Sequence, residues 1–215
     1  MEAKQSKKYD VREHFFPNVS TKKRGKLMLD EVAMYSVTDQ RTADAISRRL
    51  LAFIPKSSTI TNATSCVGGN TWSFSKHFDR VVAIERDPTR FKYLVHNMNV
   101  LGAKNVHIIN GDAISILLSP PQQKQKLSMV FMDPPWGGPD YKKFAKLSLF
   151  LSGEPLSNFI NRLAKISKYI ALKVPVNFDI DALKQDVARN AKVVLYDKFK
   201  KMHLIVLGSF PQWES

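Results

Sequence analysis

The residues best suited to chemistry form a nine-residue run, Asp133 to Tyr141, which follows the apolar stretch Met129 to Met132. The apolar stretch predicts a buried strand, so the run would begin where that strand ends. The amino group of a nucleobase is a poor nucleophile because its lone pair is delocalised into the ring. The Asp133 carboxylate and the Pro134 carbonyl could each accept one amine N–H and leave the lone pair free to attack, while Trp136 stacks on the base. The run therefore predicts a site that holds a planar amine during a transfer reaction.

Composition indicates one enzyme-sized domain with a polyanionic partner. The chain has 215 residues, of which 44% are hydrophobic, so it can bury a full core. Its 33 Lys and Arg against 19 Asp and Glu give a net charge of +14, which favours nucleic acid over a membrane. No apolar stretch approaches the roughly 20 residues that span a bilayer, and Met1 to Lys8 lack the apolar segment of a signal peptide. We therefore expect a soluble, intracellular protein.

Metal and disulfide chemistry are not expected. Cys66 is the only cysteine, so an internal disulfide is excluded. The five histidines show no ligand-like spacing with Cys66, and we predict no structural metal.

Hydrophobic patterning predicts two parts: a basic N-terminal extension at residues 1–37 that packs on the core, and a catalytic domain at 38–215. Strands are predicted at 59–63, 81–85, 106–110, 128–132, 169–174, 192–196 and 202–207. Helices are predicted at 71–77, 88–101, 112–118 and 156–167, with a further helix that Thr38 can cap and Pro55 ends, and an exposed loop at 119–126. This alternation predicts an α/β, Rossmann-like fold with a mostly parallel seven-stranded sheet and helices on both faces. Only five residues separate the last two strands, so they should pair antiparallel at the sheet edge.

Polar residues lie at the predicted ends of the first four strands, where open α/β sheets bind their ligands. Strand one leads into the small-residue turn Ser65 to Thr71, which would let backbone lie against a cofactor. Glu85 could accept both hydroxyls of a ribose, and Asp112 could receive an adenine amino group. One such acid alone is more often solvated, but their joint placement with Asp133 favours a cofactor site.

The motifs resemble those of a known family. Matching segments are Cys66 to Thr71, Val82 to Pro88, Asn97 to Gly102, Gly111-Asp112, Asp133 to Tyr141, Leu29-Asp30, Tyr35 to Thr38 and Asn177 to Asp181. Together they resemble the trimethylguanosine synthase family, the RNA cap guanine-N2 methyltransferases of the class I S-adenosylmethionine-dependent fold. The resemblance runs from about residue 9 to 207.

The resemblance implies methyl transfer from S-adenosylmethionine to the N2 amine of a 7-methylguanosine cap on RNA, giving 2,7-dimethyl- or 2,2,7-trimethylguanosine, by a monomeric enzyme. Implied catalytic residues are Asp133, Pro134 and Trp136. The cofactor would contact Thr38, Asn62, Cys66, Gly68, Asn70, Glu85, Asn97, Asp112 and Asp133. The capped RNA would contact Trp136, Tyr141, Lys26, Lys142, Lys173 and Asn177, with the lysines as candidates for the cap phosphates.

Alternatives stay open at this stage. The chain could be an adenine-N6 or ribosomal guanine-N2 methyltransferase, which would flip its base out of a larger nucleic acid. It could also be a noncatalytic RNA-binding or partner-binding module on a methyltransferase fold, since Asn62 stands where relatives often carry an acid and the chain is strongly basic. Thr38 has two interpretations of equal weight, a helix cap or a cofactor contact.

Overall fold

The predicted strands form one seven-stranded sheet. A computed structural model of the chain describes residues 10–123 and 126–210, apart from the side chains of Gln123 and Pro139. The strands are β1 (Thr59–Asn62), β2 (Arg80–Glu85), β3 (Val106–Asn110), β4 (Leu127–Met132), β7 (Ser167–Pro175), β8 (Ala191–Lys198) and β9 (Met202–Ser209). Two further strands, β5 (Phe150–Leu151) and β6 (Glu154–Pro155), pair separately as a small hairpin.

The order in the sheet is β3-β2-β1-β4-β7-β9-β8. Strands β3, β2, β1, β4 and β7 run parallel to one another, whereas β9 is antiparallel to both β7 and β8. The predicted antiparallel pairing of the last two strands at the sheet edge is confirmed. The chain reverses its direction of travel across the sheet between β1 and β4, so a ligand is expected beyond the carboxyl ends of these two strands.

Helices cover both faces of the sheet. They are α1 (Val11–Phe15), α2 (Thr21–Arg24), α3 (Glu31–Ser36), α4 (Gln40–Leu50), α5 (Gly69–His77), α6 (Pro88–Leu101), α7 (Ala113–Leu117), α8 (Pro120–Gln123), α9 (Leu156–Leu163) and α10 (Ile180–Val187), with a 3₁₀ segment at Gly138–Lys143. Apolar residues of α7, α9 and α10 form one buried cluster with the sheet. Those of α4 and α5 form another, and α6 packs beside β2. Since β2 and β4 have a helix layer on each side, their interior residues are apolar on both faces, whereas β1 also buries the polar residues Thr61 and Asn62.

The structure corrects several expected boundaries. Helix α4 is capped by Asp39, whose side chain accepts from Thr42 N, so the interpretation of Thr38 as the helix cap is wrong. Part of the expected loop at 119–126 is the short helix α8, while residues 124–125 lie outside the described residues. The hairpin β5–β6 and helix α10 were not predicted from the sequence. Among the described residues, no helix is long and apolar enough to cross a membrane.

The described part of the N-terminal extension, residues 10–37, contains the three short helices α1 to α3. Phe15, Phe16 and Leu27 are buried together with Val67 of the turn between β1 and α5. Helices this short are marginal by themselves, so packing against the core stabilises them. The extension therefore lies directly against the turn that was expected to hold the cofactor. Residues 1–9 are outside the described part of the chain.

Candidate active site

A cavity of about 740 Å³ lies beyond the carboxyl ends of β1, β2, β4 and β7, where the fold predicts a ligand. Val32, Tyr35, Ser36 and Val37 of the extension contribute to its walls, as does the 3₁₀ segment. Predicted site residues that line it are Thr38, Cys66, Asn70, Glu85, Asp112, Asp133, Pro134, Trp136, Tyr141, Lys142 and Lys173. One cavity thus joins the residues expected to hold a cofactor with those expected to hold an amine.

Glu85 is held rigidly at the end of β2. Cys66 N donates to its Oε2 at 2.7 Å and Asp87 N donates to its Oε1 at 2.8 Å, and the residue is only 9% exposed. Each carboxylate oxygen can accept a second hydrogen bond, so Glu85 can still bind two hydroxyl groups. Burial raises the pKa of the Cys66 thiol to about 12. Cys66 is therefore a neutral thiol at physiological pH and contributes through its backbone N–H.

Asn70 offers an unused acceptor to the cavity. Its Nδ2 donates to Thr38 Oγ1 at 2.9 Å, whereas its buried Oδ1 has no hydrogen-bond partner among the described residues. A buried oxygen left without a donor costs about 1–3 kcal/mol, so a ligand that supplies an N–H would be bound favourably here. Thr38 Oγ1 in turn donates to Asp133 Oδ2 at 3.4 Å. The hydroxyl of Thr38 thus connects the two halves of the cavity.

Asp112 begins helix α7 and is tied to the β5–β6 turn. Its Oδ1 accepts from Ser115 N at 3.0 Å, and its Oδ2 accepts from the hydroxyl of Ser152. Burial alone would raise the pKa of Asp112, but the hydrogen bonds from Ser152 and Ser115 outweigh it and leave the pKa lowered. The carboxylate is therefore ionised and can accept a further N–H at the edge of the cavity.

Asp133 is a largely buried acid of the cavity. Its side chain is 11% exposed, and Lys173 Nζ lies 2.6 Å from its Oδ2. Burial raises the pKa of Asp133, while the ammonium of Lys173, the hydroxyl of Thr38 and the indole N–H of Trp136 oppose that rise. Asp133 N donates to Thr64 Oγ1 at 2.7 Å, which joins the loop to the end of β1. The carboxylate is thus oriented from three neighbouring elements.

Trp136 is partly buried and lines the cavity. Its ring packs against apolar residues on both faces of the sheet, and the Tyr141 ring meets it edge-on at a centroid distance of 5.2 Å. Lys173 Nζ lies 4.9 Å from its ring centroid. The indole Nε1 is buried without a hydrogen-bond partner of normal geometry among the described residues. Pro134, between Asp133 and Trp136 in the chain, is buried beside them.

Asn97 was expected to line the cofactor pocket, and the structure corrects this. Its side chain is fully buried behind the turn, and its Nδ2 donates to Met28 O at 2.9 Å and to Val67 O at 3.0 Å. Its Oδ1 accepts from Met28 N at 2.8 Å. Asn97 therefore holds the N-terminal extension against the turn and has no polar atom left for a ligand.

Four other expected contacts also lie outside the cavity lining. Asn62 is buried under the turn, where its Nδ2 donates to Thr71 Oγ1 at 3.0 Å. Gly68 faces helix α6, because a Cβ there would lie 2.5 Å from Met98 Cε. Asn177 donates to the backbone oxygens of the 3₁₀ segment and its end, each at 2.8 Å, and so positions that segment. The exposed Lys26 side chain is not part of the lining.

Two residues that sequence reasoning missed line the same cavity. Tyr35 of α3 is 76% exposed at the cavity wall, and it belongs to the motif from which only Thr38 had been chosen. Ser152 comes from the β5–β6 turn and has a positive φ of 52°. Nothing in the local sequence indicated Ser152, because its role depends on a hairpin that folds back onto Asp112.

Comparison with known proteins identifies the family. The sequence model of a family described as RNA cap guanine-N2 methyltransferase matches residues 58–206. The chain belongs to this family. The RNA cap guanine-N2 methyltransferase match includes the ends of β1, β2, β4 and β7, and therefore most of the cavity.

One relative of the chain is a trimethylguanosine synthase from Schizosaccharomyces pombe, which is 35% identical over 73% of the chain. A trimethylguanosine synthase from Saccharomyces cerevisiae is 25% identical over 73% of the chain. The aligned regions cover 66% and 50% of these two yeast proteins, so the chain spans less than two thirds of either. An uncharacterized protein, L320, from Acanthamoeba polyphaga mimivirus is 27% identical over 96% of the chain and 89% of its own length.

Solved structures share the fold of this family member. An rRNA methylase from Streptococcus thermophilus superposes with a TM-score of 0.53 at 14% identity, covering 77% of this chain and 94% of that one. An S-adenosylmethionine-dependent methyltransferase from Agrobacterium tumefaciens gives a TM-score of 0.58 at 10% identity, over 81% and 63% of the two chains. The protein is a class I methyltransferase, and S-adenosylmethionine is its cofactor. The cavity fits this cofactor, since Asn70 Oδ1 has no donor within the described part of the chain and Glu85 can accept two hydroxyls.

At Gly69 an added side chain would meet backbone directly. A Cβ at Gly69 would lie 2.5 Å from Thr38 O and 2.8 Å from Val37 Cγ2, so backbone of the extension would have to move. Overpacking of this kind costs about 1–3 kcal/mol. We expect Gly69→Ala to lower the free energy of unfolding by that amount and to weaken S-adenosylmethionine binding about tenfold, measured by denaturation and calorimetry.

Gly25→Ala is the matched control for Gly69→Ala. Gly25 has a φ of −61°, which any residue can adopt, and a Cβ added there would lie 3.4 Å from its nearest neighbour, Thr21 O. Both stability and cofactor affinity should stay near those of the unmodified protein. If Gly69→Ala behaved like Gly25→Ala, the tight contact between turn and extension would not contribute to cofactor binding.

Proposed function

We propose that the protein transfers methyl groups from S-adenosylmethionine to the exocyclic N2 amine of a 7-methylguanosine cap on RNA. The observation that carries this proposal is the position of Asp133 and Trp136 in the same cavity as Glu85 and Asn70, within the region matched by the family. A carboxylate beside an aromatic ring suits a planar base with an amino group. The description of the matched family supports guanine in an RNA cap as that base, and the names of the two yeast relatives support a guanosine product that carries several methyl groups.

Glu85, Asn70 and Asp112 form the cofactor half of the cavity. S-adenosylmethionine supplies an electrophilic methyl group on a sulfonium centre. We assign Glu85 to the ribose hydroxyls, because both of its oxygens keep a free acceptor site after binding Cys66 N and Asp87 N. Asn70 Oδ1 would accept from the ammonium group, and the Asp112 carboxylate would accept from the adenine amino group. These roles satisfy the acceptors that the protein itself leaves free.

The amine half of the cavity positions the nucleophile. Lys173 and Thr38 both donate to Asp133 Oδ2, which leaves Oδ1 better placed to accept one N–H of the substrate amine. The Pro134 carbonyl would accept the other N–H. With both N–H groups held, the lone pair can face the methyl group, and preorganised acceptors of this kind lower the barrier without rearranging during the reaction.

The positive 7-methylated base suits the aromatic wall. Stacking of a cation on an indole adds about 0.5–2 kcal/mol to ordinary stacking. Trp136 supplies that ring, and we assign Tyr141 and Lys142, which line the same side of the cavity, to the cap phosphates.

We further propose that residues 38–215 are the catalytic domain and that residues 1–37 contribute to the site, which is supported by Val32, Tyr35 and Ser36 in its lining.

Incubation of the full chain with S-adenosylmethionine and either 7-methyl-GDP or GDP, followed by mass analysis, tests the proposal. We expect one or two methyl additions to 7-methyl-GDP and much slower reaction of GDP. Methylation of a polyribonucleotide with none of 7-methyl-GDP would instead indicate an enzyme that flips its base from a larger RNA. Failure to bind S-adenosylmethionine in calorimetry would indicate a noncatalytic RNA-binding module.

A further inference from the structure

Lys173 contacts both groups that are assigned to the substrate base. Its Nζ lies 2.6 Å from Asp133 Oδ2 and 4.9 Å from the Trp136 ring centroid. The side chains of Lys173 and Asp133 are each 11% exposed, and the strand neighbours Leu172 and Val174 are fully buried. The Lys173 ammonium is therefore paired with Asp133 and is poorly accessible to a phosphate in solvent. The expectation that Lys173 binds the cap phosphates is therefore replaced by a contact with the base site.

The pair changes the charge that a bound base would meet. Without Lys173, an ionised Asp133 would present a buried negative charge, which favours a cationic base. Burial would at the same time disfavour ionisation of the Asp133 carboxyl group. With Lys173 attached, the two side chains together are neutral, and the carboxylate can remain ionised in a buried position. A base in contact with Asp133 and Trp136 would also lie close to the ammonium, since both groups are within 5 Å of Nζ.

We propose that Lys173 is a positioning and specificity residue of this site. It holds the Asp133 carboxylate in place as an ionised acceptor for the amine, and by neutralising it limits the preference for a positively charged base. The inference rests on the proposed function for its second half, the choice of base. Its first half concerns only Asp133 and Lys173 and stands independently of the substrate.

The surroundings of Asp133 leave Lys173 as the dominant charged partner. Its other polar neighbours are Thr38 just before α4, Thr64 beyond β1 and the Trp136 N–H, and all are uncharged. Other charged residues that line the cavity are Glu85, Arg86, Asp87, Arg90, Asp112 and Lys142. Arg90 is paired with Asp87 at 3.1 Å and Asp30 at 3.2 Å, and Lys173 is the cation whose effect on the pKa of Asp133 is largest.

The first experiment reads Asp133 directly. The carboxyl of Asp133 is titrated by ¹³C NMR in the full chain, in Lys173→Met and in Lys168→Met. Lys168 is an exposed lysine on the same strand and serves as the matched control. In Lys173→Met we expect Asp133 to take up its proton at a pH at least one unit higher, a tenfold change in the proton equilibrium. Lys168→Met should titrate like the unmodified chain. An unchanged titration in Lys173→Met would overturn the proposal whatever the substrate is.

The second experiment measures kcat and KM for 7-methyl-GDP and GDP over a range of pH. For Lys173→Met we expect the fall of kcat at low pH, its acid limb, to begin at a higher pH. The KM for S-adenosylmethionine should stay within twofold of that of the unmodified enzyme, because Glu85 and Asn70 are unchanged. Above that limb the preference for 7-methyl-GDP over GDP should rise several-fold relative to the unmodified enzyme at the same pH. Lys173→Arg, which keeps the cation, should restore the acid limb. A preference that stays constant would overturn the specificity role.

The Lys173→Met variant could fold poorly, because it leaves Asp133 as an unpaired buried charge. The double variant Asp133→Asn with Lys173→Met buries no unpaired charge and so keeps the proposal testable. If Lys173 acts through Asp133, adding Lys173→Met to Asp133→Asn should lower kcat by less than twofold. Equal losses in the two backgrounds would show that Lys173 acts by another route. Should the unmodified enzyme fail to methylate either nucleotide, the proposed function fails, while the NMR titration still decides whether Lys173 controls Asp133.

Discussion

Trp136→Ala is expected to lower kcat/KM for 7-methyl-GDP by about 100-fold. Stacking of a base on an aromatic side chain is worth about 1–3 kcal/mol, and the positive charge of a 7-methylated base adds to it. Truncation also removes the ring contact with Tyr141, at a centroid distance of 5.2 Å, and so loosens the wall of the cavity. Steady-state kinetics with 7-methyl-GDP as the varied substrate measures the loss.

Trp136 also packs on core residues, so stability has to be separated from substrate binding. Trp136→Phe keeps an aromatic face and should lose less than tenfold in kcat/KM. Calorimetry should show S-adenosylmethionine binding within about threefold of the unmodified chain in both variants, since Glu85 and Asn70 are untouched. Retention of full activity on 7-methyl-GDP by a folded Trp136→Ala protein would exclude Trp136 as the base platform.

Asn97→Ala is expected to lower the free energy of unfolding by about 2–5 kcal/mol, because several buried polar groups lose their partner at about 1–3 kcal/mol each. The groups are Met28 N, Met28 O and Val67 O, which join the extension to the turn. Since Val67 lies between Cys66 and Gly69, which both line the cavity, S-adenosylmethionine should also bind more weakly. Chemical denaturation and calorimetry measure the two effects.

Asn99→Ala is the matched control on the same helix, since Asn99 is exposed. Its unfolding free energy should change by less than about 0.5 kcal/mol, as is usual for surface positions. A loss of stability in Asn97→Ala without a loss of cofactor affinity would mean that the extension supports the fold alone. Equal behaviour of the two variants would contradict the assigned role of Asn97.

The local pattern of residues determined much of the fold and part of the candidate site. Strands and their order of appearance follow from short apolar runs separated by turn residues, and β3 was predicted without error. Glu85, Asp112 and Asp133 each stand at or just beyond the end of a strand or the start of a helix, so their shared cavity follows from the parallel arrangement. These features depend on neighbours in sequence, and they are therefore readable from it.

Residue type also determined that Asp133, Pro134 and Trp136 would be neighbours, because they are adjacent in the chain. It did not determine the partner of Asp133. Residues 133 and 173 meet because β4 and β7 pair with Met132 opposite Leu172, a register that forms only when the sheet assembles. The same is true of Asn97 and Met28, which are 69 positions apart, and of Ser152 and Asp112, 40 apart. Local sequence thus decided which groups stand at the carboxyl ends of the strands, whereas long-range strand register and helix packing decided which groups line the cavity and which of them contact each other.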